Sequence, residues 1–153
     1  MPRIQIALPT DWVFETTLPV RIGDINYGGH MGNDAVLRLA HEARLQCLKH
    51  YGYSELDIEG CGLIMADAAV VYKAEAFHGD ALRFEVGFAD FNKYGCDIVY
   101  LATRADTGQE VARIKTGIVF FDYGARKVTR MPEAFARRFA PPTTAATEQG
   151  TAS

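Results

Sequence analysis

Residues 23–34 read GDINYGGHMGND and bring an imidazole, carboxamides, carboxylates and glycines into one short stretch. An amphipathic run, AVLRLAHEARLQCLKHYG, follows at once. A helix starting there leaves its first-turn N–H groups without intrahelical partners, and its dipole adds partial positive charge. Gly28, Gly29 and Gly32 allow backbone to approach a ligand closely. A carbonyl oxygen lodged against such N–H groups is polarised toward an oxyanion, a central device of acyl transfer. Asp24, Asn26, His30 and Asn33 lie near enough in sequence to orient a water. The same residue types also suit a tight turn and a helix cap, so spacing alone names no reaction.

The elements that must position this stretch follow from periodicity. WVFETTLPVRI (12–22) is β-branched and aromatic and predicts a strand, with Pro19 confining it to an edge or an irregular end. From Asp34 to about His50, Val36, Leu39, Ala40, Ala43 and Cys47 recur at helical spacing. Leu37, Leu45 and Leu48 widen the stripe, which predicts a helix buried on more than one side. Gly52 is placed to end it. Strands are expected at 63–77, 81–91, 96–105 and 109–121, with turns at 78–80, 92–95, 106–108 and 122–127. MPEAFARRF (131–139) reads as a short terminal helix. The order β, α, then four β suits an α+β domain over 1–140, with a twisted antiparallel sheet wrapped around one long helix. Residues 141–153, small, polar and proline-containing, are expected to be disordered. An open sheet edge is a hazard that pairing with a second copy removes, so at least a homodimer is expected.

Composition narrows the classes. The 153 residues carry a formal net charge of -3, which argues against a general nucleic-acid binder. No apolar run approaches a membrane span, and the N-terminus is too polar for a signal peptide. Cys47, Cys61 and Cys96 are odd in number and widely spaced, which points to a reducing cytoplasm. Cys47 and Cys96 fall inside a helix and a strand pattern and read as packing. The four histidines are scattered, so no metal site and no cofactor is expected.

The stretch GDINYGGHMGNDAVLRLAHEARLQCL resembles the hotdog-fold acyl-CoA thioesterases, in particular the 4-hydroxybenzoyl-CoA thioesterase-like branch. That branch typically reads G/T-D-x-D-x-x-G-H-x-N-N here, then a helix carrying E-A-R. Gly23-Asp24, Gly29-His30, Asn33 and Glu42-Ala43-Arg44 match, and Phe77-His78-Gly79-Asp80 resembles the branch's Y/F-x-G-D turn. The resemblance runs from about residue 13 to 139. It implies a hotdog fold with a five-stranded antiparallel sheet, dimerising edge to edge, and hydrolysis of an acyl-CoA or acyl-carrier thioester.

One departure stands out: the catalytic aspartate of the family, second in D-x-D, falls on Asn26. A carboxamide has no basic lone pair at neutral pH, so Asn26 could position a water or hold the thioester but not act as base. Asp24, Asp34, Glu42 and Asp67 are the carboxylates open to that role. The resemblance places the carbonyl-polarising N–H near Gly32 and Asn33, beside Gly29, and a basic residue for CoA phosphates at Lys93. Glu42 and Arg44 are read as a structural pair within the dimer. Three functions follow: a thioesterase, a hotdog hydratase or dehydratase, and a binder of acyl thioesters without turnover. Homodimer and homotetramer both remain open.

Overall fold

The computed structural model describes residues 3–141, so the tail expected to be disordered lies almost wholly outside the described residues. Strand β1 (Phe14–Pro19) leads through a 3-10 turn (Ile22–Asp24) and the glycine stretch into α1 (Asn33–His50). Then come β2 (Gly62–Tyr72), β3 (Ala81–Ala89), β4 (Gly95–Arg104), β5 (Glu110–Asp122), β6 (Lys127–Val128) and α2 (Glu133–Phe139). All strand pairs are antiparallel, in the order β1-β3-β4-β5-β2, with β6 added beside β5. The sheet therefore has six strands, not the expected five. Residue 127, expected in a turn, instead pairs with Asp122, because the chain reverses at Arg126 (φ 58°) and runs back along β5.

The sheet's inner face carries Phe84, Ile98, Tyr100, Ile114 and Phe120, all fully buried against α1 or α2. Each such side chain stabilises the fold by roughly 1.5–3 kcal/mol relative to exposure. On α1 the buried stripe is Ala35, Val36, Leu39, Ala40, Ala43, Cys47 and Leu48. Leu48 is covered as expected, but Leu37 and Leu45 remain 39% and 40% exposed. Leu37 opens into a cleft that it shares with Met65 and Ala68 of β2. Phe135 of α2 meets Phe88 and Phe120 edge-on at 5.3 and 5.1 Å and closes the far end of the core. Helix α1 ends where Gly52, at φ 83°, lets Tyr53 N–H donate to the Leu48 carbonyl (2.8 Å) and its own N–H to that of Lys49 (3.0 Å).

Two edges frame the site. Pro19 ends β1, an edge strand, as its missing N–H requires. Strand β2 is the other edge, and its pairing with β5 slips by one residue between Met65 and Asp67. Burial pushes the Cys47 thiol up to about 12 and raises that of Cys96 as well, so both pack as inert groups. Among the described residues no helix is long and apolar enough to cross a membrane.

Candidate active site

The glycine stretch folds into a miniature hairpin. Ile25 bridges Met31, Asn26 N–H donates to the His30 carbonyl (3.0 Å), and Gly29 N–H donates to the Asn26 carbonyl (3.0 Å). Asn26 Oδ1 accepts from Gly28 N–H (2.9 Å), the local turn that asparagine favours. Gly29 holds φ 87°, open to glycine at no steric cost. The carboxamide oxygen of Asn26 is thus engaged within the turn, while its NH₂ group keeps its two donors. Tyr27 at the tip is fully exposed.

Three contacts pin this hairpin and the start of α1 to the end of β2 and the segment that follows it. Met31 N–H donates to the Ala76 carbonyl (2.7 Å), and the Tyr72 hydroxyl donates to the Asn33 carbonyl (3.1 Å). His30 Nε2 lies 3.6 Å from Glu75 Oε2. A cleft of about 310 Å³ opens between the two segments, lined by His30, Asn33, Val36, Tyr72, Lys73 and Glu75 among others. Helix α1 begins at its edge. Gly32, the cap residue, has no side chain to close the first turn, and among the described residues no side-chain cap bond forms there.

The residues singled out by sequence separate into two groups. Asn26, Gly29, His30, Gly32 and Asn33 come together on the hairpin and the helix start. Asp24 is close in chain but turned inward, and is almost wholly buried. Its carboxylate accepts from Arg21 N–H (2.8 Å) and lies 3.7 Å from Arg38. Burial alone would raise its pKa, but the Arg21 N–H and the Arg21 and Arg38 charges outweigh that and hold it below the usual value. A carboxylate so stabilised is a weak base. Asp34 is held by Arg38 at 2.7 Å, and that bond lowers its pKa too. Asp67 accepts from Lys115 (2.9 Å) and from Gly117 N–H (3.1 Å), in the lattice of β2 and β5 rather than at the hairpin.

Glu42 is exposed one helix face away and accepts from Gln46 at 2.7 Å. Within one protomer it makes no pair with Arg44, because residues two apart on a helix point to different sides. Arg44 instead reaches Glu55 (2.7 Å) and the Tyr100 hydroxyl (3.1 Å), and Tyr100 in turn meets Thr116 (2.9 Å). Lys93 sits in the β3–β4 turn, its ammonium 5.5 Å from the Tyr94 ring centre. The hairpin packs on the segment entering β3, so the nine-residue strand separates the two by roughly 30 Å within one protomer.

Glu75 is the residue that sequence reading missed. It follows a strand pattern that runs without a break from 63 to 77, so its position reads as strand. The strand in fact stops at Tyr72, where Lys73 and Ala74 N–H groups both turn to the Val111 carbonyl. The Phe77-His78-Gly79-Asp80 turn has a structural explanation. Asp80 accepts from Phe77 N–H (2.8 Å) and from Arg104 (2.7 Å), while Gly79 at φ 89° donates to the Val20 carbonyl (2.9 Å). Among the described residues no cluster of three or more His, Cys, Asp or Glu is placed to hold a metal ion.

A profile of the thioesterase-like superfamily matches residues 20–139, which include the hairpin, the cleft and the whole sheet beyond β1. The chain belongs to the thioesterase-like superfamily. Among solved structures, this superfamily member resembles a 1,4-dihydroxy-2-naphthoyl-CoA thioesterase from Synechocystis, at 22% identity and TM-score 0.72, over 80% of this chain and 91% of that one. It also resembles a thioesterase superfamily protein from Jannaschia, at 22% identity and TM-score 0.75, over 93% and 86% of the two chains. A gentisyl-coenzyme A thioesterase shares 18% identity and TM-score 0.72, over 83% of this chain and 100% of its own. At these identities the likeness establishes the hotdog fold. No curated protein sequence matches the chain.

Proposed function

We propose that the chain is a cytoplasmic acyl-CoA thioesterase that hydrolyses an acyl thioester to a free acid and CoA. The observation that carries this reading is the uncapped start of α1 beside a cleft, in a member of the thioesterase-like superfamily. The thioester carbonyl oxygen rests against the N–H of Asn33 in the first turn of α1, where the helix dipole adds to its pull; the Gly32 N–H is already bonded to the Asp24 carbonyl (2.9 Å). The Asn26 NH₂ group is the second donor for that oxygen, since its own carbonyl is occupied by Gly28 N–H. Charge that develops on the oxygen in the tetrahedral intermediate is met by donors already aimed, which is where such a site lowers the barrier most.

Strand β2 supports a dimeric form of the enzyme. It is an open edge, and Met65 and Tyr72 on it, with Leu37 of α1 across a shared cleft from Met65, leave apolar surface exposed. Pairing β2 with its copy satisfies that edge and covers those side chains. Two such dimers joining would give a tetramer.

The test is a panel of acyl-CoAs, short, long and aromatic, followed with a thiol-trapping dye. Thiol release above background from at least one is expected, and Asn26→Ala should lower kcat/KM about tenfold. Binding of acyl-CoA with no release from any of them favours the second reading, an acyl-thioester binder, which the Asn26 side chain in the family's aspartate position recommends.

A further inference from the structure

With Asn26 unable to accept a proton, the thioesterase needs a base from elsewhere. We propose that Glu75 is that base, acting on a water shared with His30. The inference rests on the thioesterase reading above.

Four observations converge on it. Asp24, Asp34 and Asp67 are each held by arginine or lysine, and Glu42 lies one helix face away. Glu75 faces the cleft, and among the described residues its ionic neighbour is His30 alone. The two are 3.6 Å apart, beyond hydrogen-bond length, so neither is consumed by the other. Their juxtaposition is fixed by the backbone, since Met31 N–H is bonded to the Ala76 carbonyl, one residue on from each.

The histidine's orientation favours the same assignment. His30 Nδ1 lies 3.3 Å from the Met31 carbonyl, an oxygen that can only accept. In the neutral ring Nδ1 therefore carries the proton, and Nε2 presents a lone pair toward Glu75. Two acceptors that face each other across one gap are the natural seat of a water, which donates one hydrogen to each at about 2.8 Å. Its oxygen lone pair then points away from both, into the cleft. Charged and titratable groups around that point are His30 from the hairpin, Tyr72 at the end of β2, and Lys73 and Glu75 from the segment after it.

The chemistry balances without any co-reactant. Glu75 takes a proton from the water as the water oxygen bonds to the thioester carbon. The carbonyl π pair moves onto its oxygen, which the helix N–H groups hold. When the C=O bond re-forms, the C–S bond breaks, and the proton on Glu75 passes to the departing thiolate. The products are a free acid and a thiol, and Glu75 is again a carboxylate.

The experiment uses the full chain and the acyl-CoA that releases thiol fastest from wild type. Glu75→Gln should lower kcat about 100-fold with KM changed less than threefold, because a general base acts on the chemical step. The acid limb of the kcat/KM pH profile should vanish in the same variant. Glu75→Ala with added formate should recover part of the rate, which a purely structural role would not allow. Thermal melting should be unchanged, since the side chain is mostly exposed. Wild-type activity with Glu75→Gln within threefold in kcat and an unaltered pH profile overturns this inference and leaves the thioesterase reading intact. No thiol release from wild type on any acyl-CoA overturns both.

Discussion

Two carboxylates flank the glycine hairpin, and their surroundings are opposite. Asp24, before it, is buried and surrounded by Arg21 and Arg38. Glu75, which meets the hairpin from the segment after β2, is largely exposed and stands beside a lone imidazole. Asp24 belongs to the D-x-D pattern, yet the arginines fix its charge and its backbone carbonyl anchors Gly32 N–H at 2.9 Å. Its work is to hold the hairpin's base shut. Glu75 lies in no motif, and among the described residues no arginine or lysine holds its carboxylate. A carboxylate neutralised by cations stabilises a fold; one left uncommitted over a cleft can do chemistry.

Perturbing each side in turn sharpens that contrast. The largest effect is expected on the free side: His30→Ala should reduce kcat roughly 100-fold in the thiol-release assay, because the shared water loses one of its two anchors. On the anchored side, Asp24→Asn should cost about 1–3 kcal/mol in denaturant unfolding, since a buried charge-assisted bond to Arg21 is weakened. Its pH dependence has a definite sign. The carboxyl titrates near 3.9 in the unfolded chain and lower in the folded one. Its stabilisation is therefore full above about pH 4 and lost as pH falls through the depressed folded value. The stability gap between wild type and Asp24→Asn should accordingly shrink below pH 4 in melts recorded across that range.

At the hairpin tip, Gly29→Ala should cost about 1 kcal/mol, because φ 87° strains any residue with a Cβ even though space is open around it. The smallest effect belongs to Glu42→Gln. That side chain accepts from Gln46 on an exposed face, so kcat should stay within twofold.

How far the sequence reveals this arrangement depends on the range of each interaction. Helix α1 is legible because its stripe repeats over 18 residues and its end carries a Gly52 that only a left-handed cap requires. The β4–β5 hairpin is legible for the same local reason, with Gly108 at φ 78°. The clustering of Asn26, His30 and Asn33 follows from their closeness in chain. What is not legible lies across chain distance. Alternation of Ala74 and Ala76 with Lys73 and Glu75 continues the strand pattern past Tyr72, so the break that frees Glu75 is invisible until Lys73 and Ala74 are seen turning to Val111. Arg44, read as a partner of Glu42 within the dimer, reaches across its own protomer to Glu55 and Tyr100. Leu37 and Leu45 read as buried because a stripe shows which faces are apolar, not which of them the protomer itself covers.

The most direct measurement compares Asp24→Asn and Glu75→Gln side by side, recording the melting temperature and the thiol-release kcat of each. A crossed pattern is expected: Asp24→Asn melts about 3 °C lower or more while keeping at least a third of kcat, and Glu75→Gln melts like wild type while losing about 100-fold. If Asp24→Asn loses the rate and Glu75→Gln keeps it, the base lies in the D-x-D stretch after all, and the roles assigned to the two carboxylates are reversed.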